Sequence, residues 1–239
     1  YEKDSLRFES RLATDCAKME DQYAVELRDI VDIYGVSIGE IEGSIISSVV
    51  PSLTSGIKRA VKRLTRTEPL CIGPGMKTGL NIKLNDPSTL GADLVAAIEL
   101  FDCPCIIFDI GTATTISVLD ADASMLGGVI IPGPGIALEA LTARSALLSS
   151  VSLEAPKHVI GSNTADCMRS GSVYGTASMM DGMCDRIEEE LGKKCSIVAT
   201  GGLGKEIVPH CRRNIVYCDN LLLEGLRLLY EKNAGKAGR

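Results

Sequence analysis

Residues 105–131, CIIFDIGTATTISVLDADASMLGGVII, constrain the fold more than any other stretch of the chain. Three apolar, β-branched runs follow one another with only turn-sized polar breaks between them. That pattern predicts three hairpin-linked strands, at 105–109, 116–119 and 126–131, with the second turn at Asp120–Ser124. A sheet built from such a meander needs cover, and the flanking sequence supplies helices. A Pro/Gly-broken loop leads into a helix over about 135–147, and a long helical stretch covers 164–191. Then come a strand at Ser196–Thr200, Gly201-Gly202, a helix from about 203, a strand at Ile215–Cys218 and a helix over 220–232.

The first ninety residues carry the same alternation. Residues 5–14 (SLRFESRLAT) alternate roughly and are expected as a strand. Tyr23, Leu27, Ile30, Val31 and Tyr34 make a helical stripe over 21–36, with Asp21 as a possible cap. A strand at 44–50 stopped by Pro51, a helix over 52–64 and a strand at Pro69–Ile72 follow, then a Gly/Pro/Asn-rich loop over 73–92 and a helical run at 93–101. Strand-helix alternation of this kind reads as an α/β chain in two halves, 1–92 and 93–239.

Composition excludes several classes of function. The net charge of −6 and the lack of a basic stripe argue against a nucleic-acid partner. The densest basic cluster, Lys58-Arg59 with Lys62-Arg63, has the spacing of one solvated helix face. No run approaches the roughly 18 apolar residues of a membrane span. Nine scattered cysteines, an odd number without framework spacing, read as reduced thiols of a cytoplasmic protein. Cys103-Pro104-Cys105 is the one close pair. With only His158 and His210 in the chain, it makes a poor zinc site and better core material.

Three stretches could carry chemistry. In Asp109-Ile110-Gly111-Thr112-Ala113-Thr114-Thr115 the glycine lets backbone approach an anion, and the threonine hydroxyls add donors for phosphate oxygens. A strand-terminal Asp beside them would hold a cation, since two anions repel. Thr200-Gly201-Gly202-Leu203-Gly204 places glycines at a strand-to-helix junction, where a ligand can lie on bare backbone. Gly91-Ala92-Asp93 opens a helix, and Asp93 is either its cap or a carboxylate with a task.

The ordered series SSVVP (47–51), GPGMKTGLNIK (73–83), GAD (91–93), FDIGTATT (108–115), LGGVIIPGPGIALEAL (126–141), ATGGL (199–203) and LEGL (223–226) resembles type III pantothenate kinase. The resemblance implies an actin-like (ribonuclease H-like) α/β fold of two related domains with a nucleotide cleft between them. It also implies ATP-dependent phosphorylation of pantothenate, the first step of coenzyme A biosynthesis, by a homodimer needing Mg2+ and a monovalent cation, K+ or NH4+. Carried over by position, Asp93 falls on the general base and Asp109 on the monovalent-cation ligand. Gly111, Thr112, Gly201 and Gly202 fall on the ATP site. Leu84, Gly91, Ala92, Asp93, Leu94 and Thr164 fall on the pantothenate site, Thr164 reaching across the dimer interface. Small residues at 171, 175, 178 and 182 on the same helix would allow close approach of another helix.

Three departures accompany the resemblance. The family opens with a strand and a D-x-G-N-T-type phosphate loop, whereas this sequence starts at Tyr1, just after that position. Leu94 stands where an arginine is common, with the following helix about a turn short, and Leu84 stands where an aromatic is common. Without the first loop half the phosphate cradle is lost, which motivates the alternative of a non-catalytic, actin-like relative that binds nucleotide or a partner and regulates.

Overall fold

The computed structural model describes residues 1–73, 75–79, 91–144 and 148–234, with 81–82 as backbone only. Leu84 and a turn expected from the sequence at Asp86-Pro87 lie outside the described residues. The chain packs as two compact units, one made of residues 1–78 with 223–239 and the other of 79–222. The C-terminal helix therefore packs with the N-terminal segment.

The first unit rests on two helices. Helix α1 (Glu20–Ile33) and helix α2 (Pro51–Thr65) bury Tyr23, Ala24 and Ala60 between them, flanked by Leu53, Ile57 and Leu64. The expected cap at Asp21 is instead Met19, whose N–H donates to Gln22 Oε1 at 2.8 Å. Strands β1 (Ile45–Ile46) and β2 (Leu70–Cys71) pair in parallel, shorter than the runs that predicted them. The basic face of α2 is neutralised: Arg59 and Arg63 pair with Glu20, and Lys58 and Lys62 with Glu68. Residues 5–14 form no strand, and the only ladder contact there is an isolated bridge between Glu2 and Ser5. Phe8 instead stacks on Tyr34, ring centroids 4.2 Å apart. Helix α7 (Leu221–Ala234) is tied to the unit where Asn233 Oδ1 accepts from Lys77 N–H at 3.0 Å.

The second unit is built on the meander. Strands β4 (Cys105–Ile110), β5 (Ala113–Leu119) and β6 (Ser124–Pro132) run antiparallel to one another. A strand not expected from the sequence, β3 (Asn81–Ile82), joins the β6 edge in parallel. On the other side β7 (Ser196–Thr200) pairs in parallel with β4, and β8 (Val216–Tyr217) with β7. The sheet order is β3-β6-β5-β4-β7-β8.

Alternation divides this sheet cleanly. Ile106, Phe108 and Ile110 face the long helix α5 (Thr164–Leu191) and meet Val173, Ala177, Met180 and Cys184 in the core. Cys105 and Ile107 point to the opposite face and are equally buried; burial pushes the Cys105 thiol up to about 12. Helix α3 (Ala92–Leu100) lies against β4. Helix α4 (Pro134–Arg144) follows β6. Helix α6 (Gly204–Ile207) is a single turn, continued as a 3-10 turn where Pro209 removes a backbone donor. Among the described residues no helix is long and apolar enough to cross a membrane.

Candidate active site

The C-terminal ends of the parallel strands β4 and β7 carry the motif residues, the usual place for a ligand in an α/β sheet. Strand β5 begins at Ala113, three residues earlier than expected, so the turn is confined to Gly111 and Thr112. This shortening sorts the three threonines. Thr112 is exposed at the tip, and Thr115 pairs directly with Asp109 across the ladder, sharing its face. Thr114 pairs with Ile110 and faces the core; its hydroxyl is fully buried and has no hydrogen-bond partner among the described residues. The reading of all three hydroxyls as phosphate donors is therefore corrected for Thr114.

Two glycines bring further backbone against the hairpin. Gly133 donates its N–H to Thr112 O at 3.0 Å, and a Cβ at 133 would collide with the carbonyls of Gly111 and Thr112. Gly201 sits at φ +93°, and a Cβ there would stand 2.6 Å from Asp109 Oδ1 and from Ile110 N and O. Leu203 N–H then donates to Ile110 O at 3.3 Å. Three segments thus meet through bare backbone around one carboxylate. The sequence pointed to Gly111 and Gly201. Gly133, in the PGPG loop, takes its role from its contact with the hairpin, which nothing in its local sequence signals.

Asp109 is partly buried at the end of β4, flanked in its row by Thr115 and Thr200. Burial raises its carboxyl above the ordinary carboxylate range. Asp93 sits second in α3, behind the cap Gly91, and so is not itself the cap. Burial raises Asp93 most, and the neighbouring Asp109 charge adds to it; the N–H groups of Asp93 and Leu94 pull the other way. A side chain at Gly91 would collide with the Asp93 carboxylate. Ala92 and Leu94 are buried in the core, so what those positions can offer a ligand is backbone.

Thr164 is exposed at the first position of α5, with no hydrogen bond to Asp93, Asp109 or the glycine turns among the described residues. The cap of that helix is Asn163, whose Oδ1 accepts from Asp166 N–H at 2.9 Å. A cation fits beside Asp109. The carboxylate has no hydrogen-bond partner among the described residues, two threonines flank it, and a second carboxylate stands near enough to repel it. Positive charge placed there relieves both burial and repulsion.

A carboxylate pair, a glycine–threonine hairpin and a glycine junction gather at the carboxyl edge of one α/β sheet, where such sheets take their ligands. Comparison with known proteins gives the family. The sequence profile of type III pantothenate kinase matches residues 1–186. The type III pantothenate kinase of Halalkalibacterium halodurans is 41% identical over 237 residues, covering 98% of this chain and 93% of the relative. That of Bacillus cytotoxicus is 38% identical over 238 residues, covering 98% and 91%. A crystal structure described as a conserved, candidate Baf family transcriptional activator from Campylobacter jejuni superposes with TM-score 0.56. It is 19% identical, covers 82% of this chain and 86% of its own, and speaks to the fold alone. The chain belongs to the type III pantothenate kinase family, enzymes that phosphorylate pantothenate with ATP in coenzyme A biosynthesis. Nothing in these comparisons favours the non-catalytic alternative.

Proposed function

We propose that Asp93 is the general base of pantothenate phosphorylation and that Asp109 holds a monovalent cation beside the ATP phosphates. The observation that carries this reading is the pairing of two partly buried carboxylates, both raised by burial, next to the Gly111–Thr112 turn. In the reaction the primary hydroxyl of pantothenate gives its proton to the Asp93 carboxylate as its oxygen bonds to the γ-phosphorus. The bond from that phosphorus to the β–γ bridging oxygen breaks, and ADP leaves with the electron pair. A carboxylate with raised proton affinity is the better acceptor for that proton.

Gly111 and Thr112 lie against the phosphates, and Gly201 and Gly202 against the nucleoside. Gly91, Ala92, Leu94, Thr164 and Leu84 contact pantothenate. Potassium or ammonium at Asp109 would spread the charge of the phosphates, and Mg2+ would enter with ATP. A homodimer is supported by α5, where a Cβ at Gly171, Gly175 or Gly182 would meet open space. Glycine inside a helix costs roughly 0.5–1 kcal/mol relative to alanine, so a stripe of it beside open space needs a reason outside the subunit. A partner helix supplies one, and Thr164 would then reach the partner's substrate. No disulfide joins any of the nine cysteines, which supports the cytoplasm as the compartment.

The test is pantothenate-dependent ADP formation by the full-length protein with ATP, Mg2+ and K+ present. Asp93→Asn is expected to lower kcat by about 10²–10⁴-fold, the usual worth of a general base. Unchanged turnover in that variant removes the role, and a rate indifferent to K+ removes the cation from Asp109.

A further inference from the structure

We propose that Tyr217 is a positioning residue for nucleotide binding, its hydroxyl holding the Gly201–Gly202 peptide so that the Gly202 N–H faces the ligand. The proposal rests on the reading that Gly201 and Gly202 contact ATP. Tyr217 lies on β8, where it pairs with Ala199 of β7. Its hydroxyl stands 3.1 Å from the Gly201 carbonyl oxygen and 3.0 Å from Asp219 Oδ1, two acceptors that share its single proton. The same carbonyl already accepts from Gly204 N–H at 2.9 Å, and the shared tyrosine proton is directed at its second lone pair.

A peptide is planar and trans, so fixing the direction of one carbonyl fixes the N–H of the next residue in the opposite direction. The Gly201 oxygen is held from two sides, and Gly202 N–H is thereby turned away from both tethers. That N–H has no acceptor among the described residues, and Gly202 is exposed. Rotation of this peptide would be easy without such tethers, because glycine at φ +93° has few steric limits of its own.

Gly204 belongs to the same device. A Cβ at 204 would stand 2.5 Å from Tyr217 Cε2 and 3.0 Å from Cδ2, so the ring lies directly on the Gly204 backbone. The third glycine of Thr200-Gly201-Gly202-Leu203-Gly204 therefore makes room for the tyrosine rather than for the ligand. Two more bonds fix the strand that carries the ring: Cys218 N–H donates to Ala199 O at 2.8 Å, and Thr200 Oγ1 donates to Asp219 O at 3.5 Å.

Tyr217→Phe keeps the ring and removes the hydroxyl. It is expected to weaken binding of a non-hydrolysable ATP analogue, measured by calorimetry, about 3- to 10-fold, the worth of one hydrogen bond. The KM for ATP should rise alike, while the KM for pantothenate and the melting temperature stay at wild-type values. Gly204→Ala, which displaces the ring but leaves the hydroxyl in the chain, should weaken the analogue in the same direction. If Tyr217→Phe binds the analogue as wild type does while Gly202→Val abolishes binding, the tether is refuted and the glycine reading stands. If neither variant changes binding, both are refuted. Parallel losses in both KM values and in melting temperature would make Tyr217 a structural residue and overturn the proposal.

Discussion

The two ends of the β4–β7 strand pair carry acidic groups in opposite electrical settings. At the carboxyl end Asp93 and Asp109 are partly buried, unpaired by any cation of the described chain, and raised above their ordinary range. At the amino end, Glu188 of α5 is 6% exposed and fully partnered. It accepts from Arg213 Nη2 at 2.6 Å, Lys194 Nζ at 2.7 Å and Cys195 N–H at 3.1 Å. Burial alone would raise Glu188, but these bonds outweigh it and hold its carboxyl at about 2. The scaffold end completes its charges internally, whereas the site end leaves its charges for a ligand to complete.

The largest effect should come from the scaffold end. Glu188→Gln leaves Arg213 with Asp185 as its remaining carboxylate, and a loss of about 1–3 kcal/mol is expected from urea unfolding at neutral pH. A depressed carboxyl stabilises the fold fully above its ordinary value of 4.5, and that contribution is lost as pH falls toward about 2. The gap between variant and wild type should therefore close across that window. A gap that persisted unchanged into acid would mean Glu188 acts by packing alone.

Asp93→Asn should produce a smaller change of the opposite sign. A carboxyl raised in the folded state favours folding while protonated and opposes it once ionised, so its cost appears as pH rises through the folded pKa. The variant is expected to unfold at higher urea than wild type at neutral pH and to match it in acid. A variant less stable than wild type at neutral pH would break the contrast between the two ends. Activity and stability moving in opposite directions in one substitution is the mark of a strained site.

How much of this was legible depended on whether an element carried its own pattern. Strands β4 and β7 and helices α3, α5 and α7 fall within about two residues of where the apolar runs placed them. Their cores are long enough for periodicity to be unambiguous. Residues 5–14 had the alternation of a strand and form none, because a strand exists only with a partner and alternation says nothing about one. Asp109, Gly111 and Gly201 were visible as a carboxylate and glycines at strand ends. The nearness of Asp93 to Asp109, the wedge of Gly133 and the tether from Tyr217 were not, since each joins segments distant in sequence. The family motifs supplied the assignment of Asp93, which spacing alone left open as a helix cap.

The smallest effect concerns the one motif residue that the fold reassigns. Starting β5 at Ala113 makes Thr114 a ladder residue between Ile110 and Ile131, on the face that packs against α5. Its hydroxyl is buried without a partner among the described residues, and an unmade hydrogen bond of this kind costs about 1–3 kcal/mol against a shape-matched apolar group. Thr114→Val is nearly isosteric and keeps the β-branch that suits a strand. It should raise stability by about 1 kcal/mol in urea unfolding and leave the KM for ATP unchanged. A rise in that KM would place the Thr114 hydroxyl on the ligand after all, and would mean that the hairpin changes register when ATP binds.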